Sequence, residues 1–156
     1  MKSVLPSPLQ ILLCLLLLLF SSQKADAITA RVYSNSSLYT SCTTTNPCYT
    51  SVQTAIQEAT QASSTIDTIE IHPGTYTVAN AALNKGVTIR GLETAATILN
   101  GNGAGTILTI ENVTASMSIR NLTFYSATTG VLVRNASSVN IINNIFEVGA
   151  SSRRSR

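Results

Sequence analysis

Hydrolysis or elimination on a sugar chain by paired carboxylates needs two or more of them in one groove. One gives or takes a proton while another activates water, attacks, or holds a cation. Beyond residue 27 the acidic residues are Glu58, Asp67, Glu70, Glu93, Glu111 and Glu147. Glu93, Glu111 and Glu147 fall at different positions of the repeat described below, so they are not expected to meet at one groove. His72 is the single histidine. It lies between an apolar strand pattern and Pro73 with no nucleophile in a matching pattern, and it reads as a turn residue rather than a base. No Ser-His-Asp pattern or metal-ligand spacing is present. GNGAG (residues 101–105) has the glycines of a phosphate cradle but no helix after it. No catalytic residue, metal or cofactor is assigned.

Arg90 and Arg120 are the residues with binding chemistry. They occupy equivalent places in two similar segments, and a guanidinium fork matches a carboxylate, so they are the candidates for contact with an anionic glycan such as a uronate. The alternative role of two exposed arginines is to keep a β surface soluble. Cys42 and Cys48 remain once Cys14 is set aside with the leader discussed next. Two cysteines with no histidine nearby make at most half of a zinc site, and an oxidising compartment favours a disulfide between them. Across so short a loop the bond stabilises by roughly 2 kcal/mol. Asn35, Asn112, Asn121 and Asn135 each begin an N-x-Ser/Thr acceptor sequence for N-glycosylation.

The leader itself is Lys2, an apolar run from Leu9 to Phe20, and Ala25-Asp26-Ala27. This is the order of a secretory signal peptide, with cleavage expected after Ala27. The run is too short for a signal anchor, which needs about 20 apolar residues. No second hydrophobic segment follows, so residues 28–156 are expected to be one secreted domain without a membrane span. The formal charge of +3 comes from the ends. Between residues 28 and 150, Arg31, Lys85, Arg90, Arg120 and Arg134 stand against the six acidic residues, a balance of −1. Nucleic acid would require a concentrated basic face, and none is visible. The terminal SSRRSR reads as part of a solvated polar and basic tail over residues 149–156.

The elements that must position these residues change character along the chain. TSVQTAIQEATQAS (Thr50–Ser63) predicts a short helix: Val52, Ala55, Ile56 and Ala59 fall at i, i+3, i+4 and i+7, and Thr50 with Gln53 fits a capping box. Its narrow apolar stripe must lie on a core built elsewhere. Downstream, short runs of β-branched and aliphatic residues predict strands at Thr68–Ile71, Gly86–Arg90, Ala96–Leu99, Thr106–Ile110, Met117–Arg120, Gly130–Val133 and Val139–Ile142.

Three of these segments repeat: VTIRGL from Val87, MSIRNLTF from Met117 and VNIINNIF from Val139. Ile89, Ile119 and Ile141 correspond, as do Phe124 and Phe146, the last pair 22 apart and Ile110 to Val133 23 apart. A period in the low twenties predicts a parallel β-helix or related solenoid whose coils bury apolar faces only against one another. The interval of 30 from Ile89 to Ile119 requires an extra loop, and NGNGAG (Asn100–Gly105) is the expected place. Gly91, Asn121 and Asn143 share one position after the isoleucine strand, where a positive φ would bend the coil, and are expected to form a structural turn stack.

The succession of capping helix, IEIHPGTY, NKGVTIRGL, ATILNG and VxI-x-N-x-TF repeats resembles the start of the pectin lyase-like right-handed β-helix proteins over roughly Tyr49 to Val148. That family includes pectate lyases, pectin methylesterases, polygalacturonases and non-catalytic surface proteins. The resemblance implies an all-β fold, a right-handed parallel β-helix of about three to four coils with an N-terminal capping α-helix. CTTTNPCYTSVQTAI (Cys42–Ile56) also resembles the opening of secreted microbial β-helix surface proteins. The G-x-Y-x-E motif of pectin methylesterases is matched by Gly74 and Tyr76, but its glutamate is replaced by Val78. The family's later catalytic signatures have no counterpart in this sequence.

The expected organisation is a signal peptide (1–27), an N-terminal strand and Cys-containing loop (28–48), an incomplete parallel β-helix (49–148) and the tail. Nothing after Val148 has a capping pattern, which suits the N-terminal piece of a longer protein, or an end that takes a partner such as another β-helix coil. The expected function is a secreted or cell-surface β-helix module, without catalysis and with polysaccharide contact. The alternative is the first part of a pectin-active enzyme (lyase, methylesterase or hydrolase) whose catalytic coils lie elsewhere. A sandwich-type adhesion domain is the third architecture compatible with so many short strands.

Overall fold

The computed structural model describes residues 27–40 and 42–147. The expected tail and all of the expected signal peptide but Ala27 lie outside the described residues.

Short runs of β-branched residues broken by Asn, Gly, Ser and Thr form strands that stack rather than meander. In chain order these are β1 (Ile28–Val32), β2 (Cys48–Tyr49), helix α1 (Val52–Ala59), β3 (Ile66–Ile71), β4 (Gly74–Thr77), β5 (Ala81–Leu83), β6 (Thr88–Gly91) and β7 (Thr97–Glu111). β8 (Met117–Arg120), β9 (Thr123–Arg134), β10 (Val139–Ile142) and β11 (Ile145–Glu147) follow. One sheet runs β10-β8-β6-β3-β1-β2 and the other β11-β9-β7-β4, with β5 paired to the far part of β7. All these pairings are parallel. The described residues form an all-β parallel solenoid of about three turns with one short α-helix. Stacking at coil-length offsets excludes the sandwich.

Parallel register places like residues over one another, and three interior columns result. Ile69, Ile89, Ile119 and Ile141 form one, and Tyr76, Leu99, Phe124 and Phe146 a second. Leu83, Ile110 and Val133 form the third. The Phe124 and Phe146 rings stack at 4.9 Å, nearly parallel. Within a coil these side chains are fully buried, each contributing about 1.5–3 kcal/mol by leaving water. At the last described coil the columns surface: Ile141 is 43% exposed, Phe146 45% and Val133 42%.

Helix α1 closes the opposite end, burying Val52, Ala55, Ile56 and Ala59. Its cap is Ser51, which accepts a hydrogen bond from the Thr54 amide at 3.2 Å, so the expected Thr50–Gln53 box is displaced by one residue. The helix also stops short of Ser63, because the Thr60 hydroxyl donates to the carbonyls of Ile56 and Gln57 and takes over the last turn.

The long coil is built differently from the expectation. The offset between neighbouring coils is 30 at Ile89/Ile119, 25 at Ile98/Thr123 and 23 at Ala104/Ala127. Five of the extra residues therefore lie between β6 and β7, around Leu92–Ala96, and NGNGAG absorbs only two as a bulge inside β7. The insertion is pinned by the Thr123 hydroxyl, which donates to the Thr94 carbonyl at 2.8 Å.

Candidate functional site

A strand that turns isoleucines inward turns the residues between them outward. In the first sheet this places Arg31, Glu70, Arg90 and Arg120 in one outer column across β1, β3, β6 and β8, with Ile142 of β10 next in line. Thr29, Thr68, Thr88, Ser118 and Asn140 make a hydroxyl and amide column beside it. Neighbouring rungs stand about 4.8 Å apart, the strand spacing.

Charge within the column is unevenly satisfied. Glu70, 12% exposed, pairs through Oε2 with the Arg90 guanidinium. Its Oε1 is 3.8 Å from both Arg31 Nε and His72 Nε2. Among the described residues the Arg120 side chain makes no hydrogen bond or ion pair, and its Nε is buried without a partner, as is that of Arg90. Three arginines against one glutamate leave the column at +2.

His72 follows β3 directly and is tied by its amide to the Val32 carbonyl. Its ring lies on Tyr33, centroids 3.9 Å apart, and its Nε2 is buried with no hydrogen bond. Burial holds its pKa below the usual 6.5; Glu70 acts in the opposite direction and Arg31 in the same direction as burial. Tyr76 of the G-x-Y motif is interior: its hydroxyl donates to the carbonyls of His72 at 2.8 Å and Val32 at 3.3 Å, and burial pushes its pKa up to about 12. It fastens the first coil to β1.

The acidic residues do not converge. Glu111 is level with Arg134 and Glu147 with Tyr125, while Glu93 sits in the insertion. Among the described residues no three His, Cys, Asp or Glu side chains are grouped for a metal. A cleft of about 280 Å³ near α1 includes Glu58, but that carboxylate accepts a 2.8 Å hydrogen bond from the Tyr49 hydroxyl. Cys42 and Cys48 form a disulfide with Cα atoms 5.6 Å apart.

Asn121 and Asn143 adopt positive φ, 56° and 52°. Gly91 does not, and the expected reason for it is corrected: a Cβ there would lie 2.0 Å from the Asn121 carbonyl oxygen. The glycine supplies room beneath the asparagine turn. Asn112 and Asn135 form a second stack at positive φ, joined by a 3.3 Å side-chain hydrogen bond. Of the acceptor sequences, Asn35, Asn112 and Asn135 are exposed and Asn121 is half-buried.

Glu70 and Arg31 were not recognised as partners of Arg90 and Arg120. Aligning DTIEI with VTIRG and MSIRN would have placed Glu70 in the column. Asn144 was missed too: it accepts from the Leu122 amide and donates to the Ile119 carbonyl, bridging two coils. Compared with protein-family models, curated proteins and solved structures, the chain matches none.

Proposed function

We propose that this chain is a secreted or surface-exposed β-helix module, non-catalytic, whose outer arginine column contacts an anionic polysaccharide. The observation that carries this reading is Arg120, a guanidinium with no partner among the described residues, one rung from Arg90 on a hydrogen-bonded sheet. Two arginines on adjacent rungs of a column with net charge +2 suit a polymer with repeating carboxylates or sulfates better than a small ligand, and the flanking Thr, Ser and Asn column offers hydroxyl and amide partners. The dispersed carboxylates support binding without cleavage. Secretion rests on the leader pattern of residues 1–27 and on the Cys42–Cys48 disulfide, a bond that persists in oxidising compartments. The repeats and stacked asparagines support the pectin lyase-like resemblance, and right-handed winding follows the general rule for parallel crossovers.

The test is calorimetric titration with oligogalacturonate and with a sulfated dextran oligomer at low ionic strength. Salt-sensitive binding that weakens about tenfold in Arg120→Ala is expected. Equal affinity in the two proteins would remove the column from the site.

A second function is favoured by the exposed column ends Ile141, Phe146 and Val133. These suit contact with another β-helix coil. Were that coil to carry clustered carboxylates, the joined solenoid would be the pectin-active enzyme of the alternative reading.

A further inference from the structure

Glu70 is shared unequally. Oε2 is engaged by Arg90, whereas Oε1 lies 3.8 Å from both Arg31 Nε and His72 Nε2, beyond hydrogen-bond range. His72 Nε2 in turn is buried and unbonded. A carboxylate oxygen and an imidazole nitrogen, neither hydrogen-bonded and the former within ion-pair range of Arg31, are thus held about one ångström short of a hydrogen bond to each other. The terminal torsion of a glutamate is broad and two-fold, so the torsion itself hardly resists turning toward the ring; the cost is the Oε2–Arg90 bond, which a bond to a charged imidazolium would replace. The other titratable or charged groups around the imidazole are Arg31 on β1, Tyr33 after β1 against the ring face, Tyr76 on β4 through its bond to the His72 carbonyl, and Arg90 on β6 through Glu70.

We infer that His72 gates the arginine column: when it takes a proton from solvent, its Nε2–H bonds Glu70 Oε1 and draws the carboxylate off Arg90. Arg90 and Arg120 then form a pair of adjacent, unneutralised guanidinium groups that holds a sulfate- or carboxylate-bearing glycan more tightly. This gate rests on the anionic-glycan reading of that face. Protonation also takes the cluster from +2 to +3, so pairing and net charge act in the same direction. Burial of the neutral ring places the change on the acidic side of neutrality.

Two measurements on the full chain test it. Because His72 is the only histidine, its ring proton signals in an NMR titration are unambiguous. The Arg90 Nε–H signal is followed alongside, without ligand. The Arg90 signal is expected to shift with the His72 midpoint in the wild type and to stay flat in His72→Gln. Affinity for a sulfated dextran oligomer, whose ester sulfates stay ionised from about pH 5 to 8, is expected to rise at least ~5-fold on acidification, and not in the variant. His72→Asn serves as the second variant should His72→Gln fail to give the wild-type circular dichroism spectrum.

An Arg90 signal that ignores the His72 titration, or an equal gain of affinity in wild type and variant, overturns the gate while leaving glycan binding intact. An Arg90 signal that tracks His72 in a protein that binds no glycan at either pH supports the gate and overturns the glycan reading.

Discussion

Arg90 and Arg120 stand opposite each other on adjacent parallel strands, and among the described residues only Arg90 of the two is paired with a carboxylate. The same residue type at the same register position therefore has two electrostatic states, and the difference sets what each substitution should do.

Arg120→Ala is expected to leave stability within about 0.5 kcal/mol of wild type, since it breaks no ion pair among the described residues, while weakening sulfated dextran binding about tenfold. Arg120→Lys should recover part of the affinity, because an ammonium keeps the charge but loses the fork. Chemical denaturation and calorimetry on the same preparations separate the two effects. A large loss of stability in Arg120→Ala would show the residue to be structural.

Gly91 and Asn121 are coupled through space. Gly91→Ala puts a methyl 2.0 Å from the Asn121 carbonyl oxygen, and a backbone atom cannot swing aside as a side-chain end can. A loss of about 3 kcal/mol or more is expected in urea unfolding. Asn121→Gly, at φ 56°, is expected to stay within about 1 kcal/mol of wild type, and Asn121→Val to fall well below both.

Phe124 and Phe146 share a column and stack ring on ring, but Phe124 is fully buried and Phe146 is 45% exposed. Phe124→Ala is expected to cost about 3–5 kcal/mol. Phe146→Ala should cost about a third of that, because its outer face is already in water. Equal costs in thermal or urea unfolding would mean that another surface covers Phe146 in solution.

The pH dependence of stability should carry a His72 component. Burial lowers its pKa in the folded chain, so the unfolded chain binds the proton more readily. The stability His72 contributes is present above the unfolded value of 6.5 and is lost as pH falls through the lower folded value. The midpoint of thermal unfolding should therefore drop between neutrality and mildly acidic pH in wild type, and less in His72→Gln.

Opening the Cys42–Cys48 bond with Cys42→Ser and Cys48→Ser together should cost about 2 kcal/mol. The effect should centre on β2, which holds the edge of the first sheet against β1. Hydrogen exchange at the Arg31 amide, which donates to the Pro47 carbonyl, checks the location.

The columns were legible because identical spacing forces identical stacking: once Ile89, Ile119 and Ile141 align, the interior follows, and so does the pair Arg90 and Arg120. Strands β4, β5 and β11 were not legible. GTYT, AAL and IFE run for only three or four residues, too short for alternation to announce a strand, and AAL favours helix if anything. They are extended because the coil beside them supplies the ladder.

The sequence by itself determined the repeat, the parallel stacking of its coils, the capping face of α1 and the Cys42–Cys48 pairing, since each follows from apolar period or residue chemistry within a short span. Tertiary structure decided which arginine pairs with Glu70, why Gly91 is a glycine, and where the long coil stores its extra residues. Those outcomes depend on contacts between residues 20 to 30 apart in the chain, such as Glu70 with Arg90 and Gly91 with Asn121. A local pattern carries no record of which neighbour the winding of the coil will bring alongside.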